Sequence, residues 1–567
     1  SRGLGDVYKR QRQVILMRTQ VLKMFKNIRM LSVSLTYAAL LIVGCSPLDQ
    51  PPLTISETSL IGNPNPAVPL AAIMRVTTDV PTRLTLNISD EEQNWSVTPS
   101  QAMVLNHEVP VLGLKSERTY SVTAVLEDAD GRTAEAPAQV FETPPLPDTF
   151  PTPVINVRDP SRMEPGVTLF NVNGRWEADG SATLENLPAV VVDDHGEFVW
   201  YYIPDGHRVH DVRRLNNGNI AYTVLPGHNQ LIEIDMLGNV QRKFHLAGMT
   251  DESIEGSISV DTDSLHHDYV ELPNGNLLLL SSESRVIQDW HTSETDPDAP
   301  RAPANVIGDV VVEVTQNGEI VNEWSLFDIL DPYRIGYNST SENFWRNHYG
   351  DTAESKDWTH GNAIIYEASD HSFVMSVPYQ DAVIKVSMDT GELVWILGNH
   401  DNWREPWSDK LLSPVGAVEW SYKHHAITHT ENGTYLLFDN GTGRSSPYDD
   451  QMALADSYSR AVEYAVNEQT MEVSQPWVYG PNQEQFYARY LGDVDWHEQS
   501  DTILINVGGA ETNSEGVNVP PADANRWAQI VEVTHSVQPE KVWELRLQQP
   551  DTGWSIYRAE RIADLYP

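Results

Sequence analysis

Cysteine is almost absent from this chain. Of 567 residues only Cys45 is one, so no internal disulfide forms and no paired-cysteine metal site can be built. Basic residues are scarce as well: 38 Lys and Arg stand against 80 Asp and Glu, a net charge of −42. Eight of those basic residues, beside a single Asp, lie in the first 45 positions, so the remainder stands at −49. Such a field excludes nucleic acid as a partner held by general electrostatics, and it obliges any anionic substrate to find local cations. No Gly-Lys dipeptide occurs, which excludes a phosphate-cradling nucleotide loop. There is no Gly-x-Ser-x-Gly elbow and no His-Glu-x-x-His pair, which removes two common hydrolytic devices. Long helical patterns are missing too. Charged residues reach only 21% against 40% hydrophobic, so the chain is not disordered and holds enough apolar mass for sizeable cores.

What is present begins with Cys45 itself. Lys26 and Arg29 precede an apolar run, Leu31 to Val43, which ends in Ile42-Val43-Gly44-Cys45. A basic start, a short apolar centre and a small residue before Cys are the marks of a lipoprotein signal. The run is too short to span a bilayer as a helix, and a Pro-rich tether, Pro47 to Pro52, follows it. Residues 24–45 are therefore read as a signal with Cys45 as the lipidation site. The start is expected at Met24 or Met30, and residues 1–23 are read as an assembly scar. The chain is expected as an exported lipoprotein, periplasmic or anchored to the outer membrane, and Ser46 rather than Asp after Cys45 favours the outer membrane.

Residues 51–148 read as a fibronectin-III-like β-sandwich. Ala71–Thr78, Thr82–Ile88 and Tyr120–Leu126 alternate or run apolar at strand length. Pro144-Pro145-Leu146-Pro147 marks a linker. From 150 to 567 a strand–turn–strand unit recurs and ends each time in an aromatic: Trp200, Phe244, Trp324, Trp395, Trp477 and Trp543. Each aromatic lies an even number of residues past its turn and so keeps one face of a strand. Six copies predict an all-β fold, a six-bladed β-propeller preceded by a small β-sandwich. Stretches near 285–306, 338–358 and 399–422 fall outside the repeat and are expected as long loops.

A second repeat carries the chemistry. His210, His267 and His425 each lie eight residues before the Gly of an Asn-Gly turn, and looser versions start at His360 and His497. If each histidine opens an inner strand, all five ring the mouth of the channel. Two explanations stay open at this point, a functional ring and an architectural histidine at each blade edge. Imidazoles also suit zinc, but without a second ligand motif no metal and no cofactor is expected. With no Ser or Cys nucleophile in view, histidine itself is left as nucleophile or acid–base group.

Several stretches resemble the bacterial aryl-sulfate sulfotransferases that use no nucleotide donor. They are His267 to Asn276, Asp357-Trp-Thr-His360-Gly-Asn362, Gln380-Asp-Ala-Val-Ile-Lys385, Trp395-Ile-Leu-Gly398, His425, Phe438-Asp-Asn-Gly-Thr-Gly-Arg444 and Tyr458-Ser-Arg460. The resemblance implies a six-bladed propeller with an N-terminal β domain. It implies transfer of a sulfuryl group from an aryl sulfate to a phenol through a transient sulfohistidine, which maps onto His425. His267, His360 and Asn362 map onto supporting positions. One departure stands out: the family's Ser-x-Arg-x-Gln reads Ser376-Val-Pro378-Tyr379-Gln380 here. Arg444, with Arg460 second, is the expected replacement for the missing cation. Tyr379, His210 and His497 complete the expected substrate contacts. Two other functions remain in view: a propeller lipoprotein that only binds sulfated or aromatic ligands, and a hydrolase passing the sulfuryl group to water. A homodimer is compatible with the sequence, which says nothing further about assembly.

Overall fold

A computed structural model describes residues 51–174, 188–225, 227, 229–248, 254–340, 344–345, 348–349, 355–430, 432–549 and 553–566. The expected signal, residues 24–45, and the expected lipidation site Cys45 lie outside these residues. The sandwich is built from seven strands, Ile55–Gly62, Ala72–Ser89, Asn94–Val97, Val104–Val111, Thr119–Asp128, Thr133–Glu135 and Gln139–Glu142. Strict alternation of buried and half-exposed positions along Thr119–Asp128 turns Tyr120, Val122, Ala124 and Leu126 into the core with Met74, Leu84 and Ile88. The two strands expected at 71–78 and 82–88 are one strand, Ala72–Ser89. It changes partners at its centre, pairing with Val104–Val111 up to Thr77 and with Thr119–Asp128 from Thr82. Pro81 sits at that changeover, where a missing N–H costs no ladder bond.

Six four-stranded antiparallel meanders follow, the six blades of a propeller. Their inner strands are Arg208–Arg214, Tyr269–Glu271, Ala363–Glu367, His425–His429, Asp493–His497 and Ala559–Ile562. The sixth blade joins distant parts of the chain: Ala559–Ile562 pairs with Val167–Asn171, with Ala559 opposite Phe170, and so closes the ring. The first turn of a blade needs a left-handed residue, as tight hairpins do. Gly218, Gly275 and Gly433 supply it in three blades, and His371 and Asp501 adopt it in two others, at φ 53° and 50°.

All six repeat aromatics stand on the fourth strand of their meander and are buried. Four of them donate an indole N–H to the next blade. Trp200 bonds the Met236 carbonyl at 2.9 Å, Trp395 a Glu468 carboxylate at 2.8 Å, Trp477 the Ser536 carbonyl at 3.1 Å and Trp543 the Asp194 carbonyl at 2.9 Å. A blade cannot bury both faces alone, and these aromatics seal each to its neighbour. The stretch expected as a loop at 285–306 is different. Leu277–Trp290 and Ala302–Val314 form one long hairpin, paired from Leu277–Val314 to Trp290–Ala302. Its β-branched, alternating residues continue the blade outward.

Candidate active site

His425 opens the inner strand of the fourth blade and is 8% exposed. Its Nδ1 lies 2.8 Å from Asn440 Oδ1. Asn440 has no freedom to turn, because its Nδ2 donates to the Ala488 and Leu491 carbonyls at 2.8 and 2.7 Å. Its Oδ1 must therefore accept, and His425 must carry its proton on Nδ1. The lone pair is left on Nε2, where the Leu491 N–H approaches at 3.3 Å. Burial drives the His425 pKa down to about 3; Asn440 opposes this, and the charge of His360 adds to it. A neutral imidazole with a defined nucleophilic nitrogen is the product.

His360 is the complementary group. Its Nδ1 donates to Asp357 at 2.6 Å, and Asp357 is itself held by the Trp345 indole at 3.1 Å. Burial disfavours its charged form, but Asp357, aided by Asp309, outweighs burial and raises its pKa above the ordinary histidine value. His360 stacks on Tyr379, with ring centres 4.4 Å apart and planes 10° from parallel. Two residues on, Asn362 Nδ2 donates to the His424 carbonyl at 2.9 Å, which ties the His360 segment to the start of the fourth inner strand.

His267 lies 4.8 Å from His360, centre to centre. His210 is 6.3 Å from His267 and 4.1 Å from Tyr557. Phe344 covers this group, stacked on His267 at 5.0 Å and edge-on to His360 at 4.6 Å. His267 and His360 adopt φ 58° and 54°, a costly region for non-glycine residues that recurs at functional sites. Behind His267 stands His266, with their Nδ1 atoms 2.8 Å apart.

Beneath the rings the inner strands carry charge. Arg558, from the sixth blade, reaches Asp211 of the first at 2.8 Å, Asp268 beside the second at 3.5 Å and Asp493 of the fifth at 3.6 Å. Side chains from four blades can meet only on the propeller axis. Arg213 joins them, bonded to Asp268 at 2.5 Å. Burial raises Asp493 to about 8 and Asp495 to about 6, against the pull of Arg558. The field of Arg558 adds to burial in lowering His210 to about 3.

The fold thus brings His210, His267, His360, Asn362 and Tyr379 together and ties His425 to them, but two expected members stand elsewhere. His497 ends its inner strand four residues beyond Asp493 and bonds Thr502 across the hairpin at 3.3 Å. The position eight residues before the left-handed turn residue Asp501 is Asp493, so the looser repeat put the histidine out of register. Arg444 is no replacement cation. Its guanidinium bonds Asp439 at 2.9 Å, Glu419 at 3.2 Å and the Tyr458 carbonyl at 3.1 Å. Arg460 bonds the same Asp439 at 2.7 Å. A carboxylate as buried as Asp439, 0% exposed, demands counter-charge, and it takes both arginines. At the Pro378 turn the cation is Lys423, whose Nζ bonds the Pro378 carbonyl at 3.3 Å and Asp381 at 2.8 Å. Asn440 and His266 went unnoticed in the sequence. One lies inside the Phe438–Arg444 stretch, and the other in a His-His doublet that recurs as His424-His425. Among the described residues, one carboxylate–imidazole group has ligand atoms close enough for a metal ion. It is Asp193, Asp194 and His195, with atoms within 4.8 Å of one another, on an outer turn of the sixth blade.

Known proteins resemble this chain. A family profile described as Arylsulfotransferase (ASST) matches residues 155–558, and one described as Arylsulfotransferase Ig-like domain matches residues 59–144. An arylsulfate sulfotransferase AssT of Escherichia coli O6:H1 is 27% identical over 385 residues, 59% of this chain and 59% of that protein. The protein of the same name from Lelliottia amnigena is 26% identical over 381 residues, 58% of each. The alignment thus spans about three-fifths of the length of these relatives.

Proposed function

The chain belongs to the arylsulfotransferase family, and from that premise we propose that it moves a sulfuryl group from an aryl sulfate to a phenol in two in-line displacements at His425. The observation that carries this reading is the Asn440 contact, which leaves the lone pair of His425 on Nε2. A buried ring with a pKa of about 3 is neutral at any working pH and needs no base to activate it. In the first displacement Nε2 gives up the Leu491 N–H and forms a bond to sulfur as the sulfur–oxygen bond to the aryl group breaks, its electron pair leaving with the phenoxide. In the second, the acceptor phenol oxygen attacks the same sulfur and the nitrogen–sulfur bond breaks.

His360 supplies the fixed positive charge that the sulfuryl oxygens require. Its Nδ1–H is spent on Asp357, so Nε2–H is the donor toward them. This role matters more here because Pro378 occupies the family's Arg position and both Arg444 and Arg460 are neutralised by Asp439 and Glu419. His267 gives a proton to the leaving phenoxide and takes one from the acceptor. Phe344 and Tyr379 flank the histidines as aromatic walls against which a substrate ring packs. The signal motif ending at Cys45 supports an exported, lipid-anchored location, and a phenol and an aryl sulfate are the partners this chemistry needs.

The test uses the purified full chain with 4-nitrophenyl sulfate, with and without phenol. Wild type should release 4-nitrophenol in a phenol-dependent manner. His425→Ala should lose that release while keeping its fold, since positioning cannot replace a nucleophile. A radioactive sulfuryl donor should label wild type in an acid-labile, alkali-stable form that the variant lacks. Release without phenol would make the protein a hydrolase. Binding of aryl sulfates with no turnover would make it a binding protein.

A further inference from the structure

Behind His267 the structure holds two groups that the proposed displacements do not use. His266 is 0% exposed and Asp309 1%. His266 Nε2 lies 3.2 Å from Asp309 Oδ1 and 3.1 Å from the Ser281 carbonyl. Both neighbours can only accept, so His266 Nε2 must carry a proton. Asp309 is anchored in turn: the Gly361 N–H donates to its other oxygen at 2.6 Å. The remaining contact, 2.8 Å between the two Nδ1 atoms, needs one proton and one lone pair.

We infer that Asp309 and His266 are positioning residues of a proton relay, which stores the acid–base proton of His267 one ring back from the substrate. The inference rests on the transfer chemistry proposed above. Two proton arrangements fit the 2.8 Å contact. In one, His266 is neutral and His267 donates Nδ1–H to it, which leaves His267 Nε2 basic. In the other, His266 is an imidazolium paired with Asp309, it donates Nδ1–H to His267, and His267 carries its proton on Nε2.

The two halves of the reaction interconvert these states with every proton accounted for. As the donor's sulfur–oxygen bond breaks, the Nε2–H proton of His267 passes to the phenoxide. The Nδ1–H proton of His266 then passes to His267 Nδ1. When the acceptor phenol attacks, its O–H proton goes to His267 Nε2, and the proton on His267 Nδ1 returns to His266. The cycle closes without exchange with water.

Electrostatics gives the relay a purpose. His267 stands 4.8 Å from His360, a ring whose charged form Asp357 favours. A second full charge on His267 would be repelled at that distance. Moved to His266, the charge sits beside a buried carboxylate instead. Burial works against the ionised form of Asp309, yet His266 and the surrounding donors keep its pKa below the ordinary carboxylate value.

The decisive variant is Asp309→Asn in the full chain, assayed on two donors with phenol as acceptor. The phenoxide of 4-nitrophenyl sulfate leaves with little help from an acid, whereas that of 4-methylphenyl sulfate needs a proton. Asp309→Asn should slow the methyl donor by roughly 10²-fold and the nitro donor by less than about 10-fold, in keeping with loss of general acid catalysis. Equal losses on both would mark Asp309 as structural and overturn the relay. If the variant does not fold, His266→Gln serves, because glutamine keeps a donor toward Asp309 but cannot pass a proton between rings; the same split between donors is expected. Nitrogen-15 spectra of histidine-labelled wild type provide a readout independent of turnover. A protonated Nε2 on His266 that changes in Asp309→Asn supports the relay, and an unprotonated one overturns it. A wild type inert toward both donors would instead overturn the transfer reading, whatever the spectra show.

Discussion

At the scale of single residues, the side chain that decides most is an amide. Asn440 sets which nitrogen of His425 is basic, because its own N–H groups are committed to two backbone carbonyls. Asn440→Leu should leave binding of the aryl sulfate nearly unchanged and lower kcat by roughly 10–100-fold, the usual cost of losing an orienting partner. A fall in kcat/KM through KM alone would show that the tautomer does not matter. The sequence shows His210, His267 and His425 through their spacing, since a repeat maps onto equivalent places in a symmetric fold; His360 stands three residues before Ala363, the position in register with the left-handed His371. It does not show Asn440 or Asp309, because partners across a blade follow no period. Arg444 misled for a related reason. A guanidinium in a Gly-rich turn looks available until the buried carboxylate of Asp439, five residues away, is seen to bind it.

At the scale of strands and turns, the segment before the fifth inner strand governs the same site. Leu491 offers its carbonyl to Asn440 and its N–H to His425, and Gly492 follows at φ 126°. A Cβ at Gly492 would lie 2.3 Å from the Phe438 ring. Gly492→Ala should therefore destabilise the fold by about 1–3 kcal/mol, from backbone strain and overpacking together. It should also reduce turnover, as thermal unfolding and the phenol-dependent assay would show; an unchanged melting temperature would contradict the crowding. The outer strands were readable because one aromatic per blade recurs at an even offset from its turn. The hairpin Leu277–Trp290 with Ala302–Val314 was not, since its outer half leaves the repeat and alternates between half-buried and exposed positions that are mostly polar.

For the molecule as a whole, charge is the dominant fact. A body carrying −42 repels a sulfate ester before any local group can attract it, and salt screens that repulsion over about 8–10 Å near physiological ionic strength. Raising ionic strength from about 10 to 150 mM should increase kcat/KM for an anionic donor several-fold while leaving kcat almost constant. A rate that falls with salt would mean that His360, Lys423 and Arg558 outweigh the global field at the mouth. The propeller itself was legible from six aromatics, and the sandwich from its alternation. The Arg558 hub was not, because it joins residues of four blades, some of which lie hundreds of positions apart.

That hub has a consequence for traffic. With Arg558, Arg213 and their carboxylates packed across the axis, the way along the axis past the histidines is filled by paired charges. If a phenol is made from the donor there, it leaves on the same side of the hub by which the acceptor comes in. For a transferase of the kind proposed, the two partners then wait in one queue, and an excess of either blocks the way for the other.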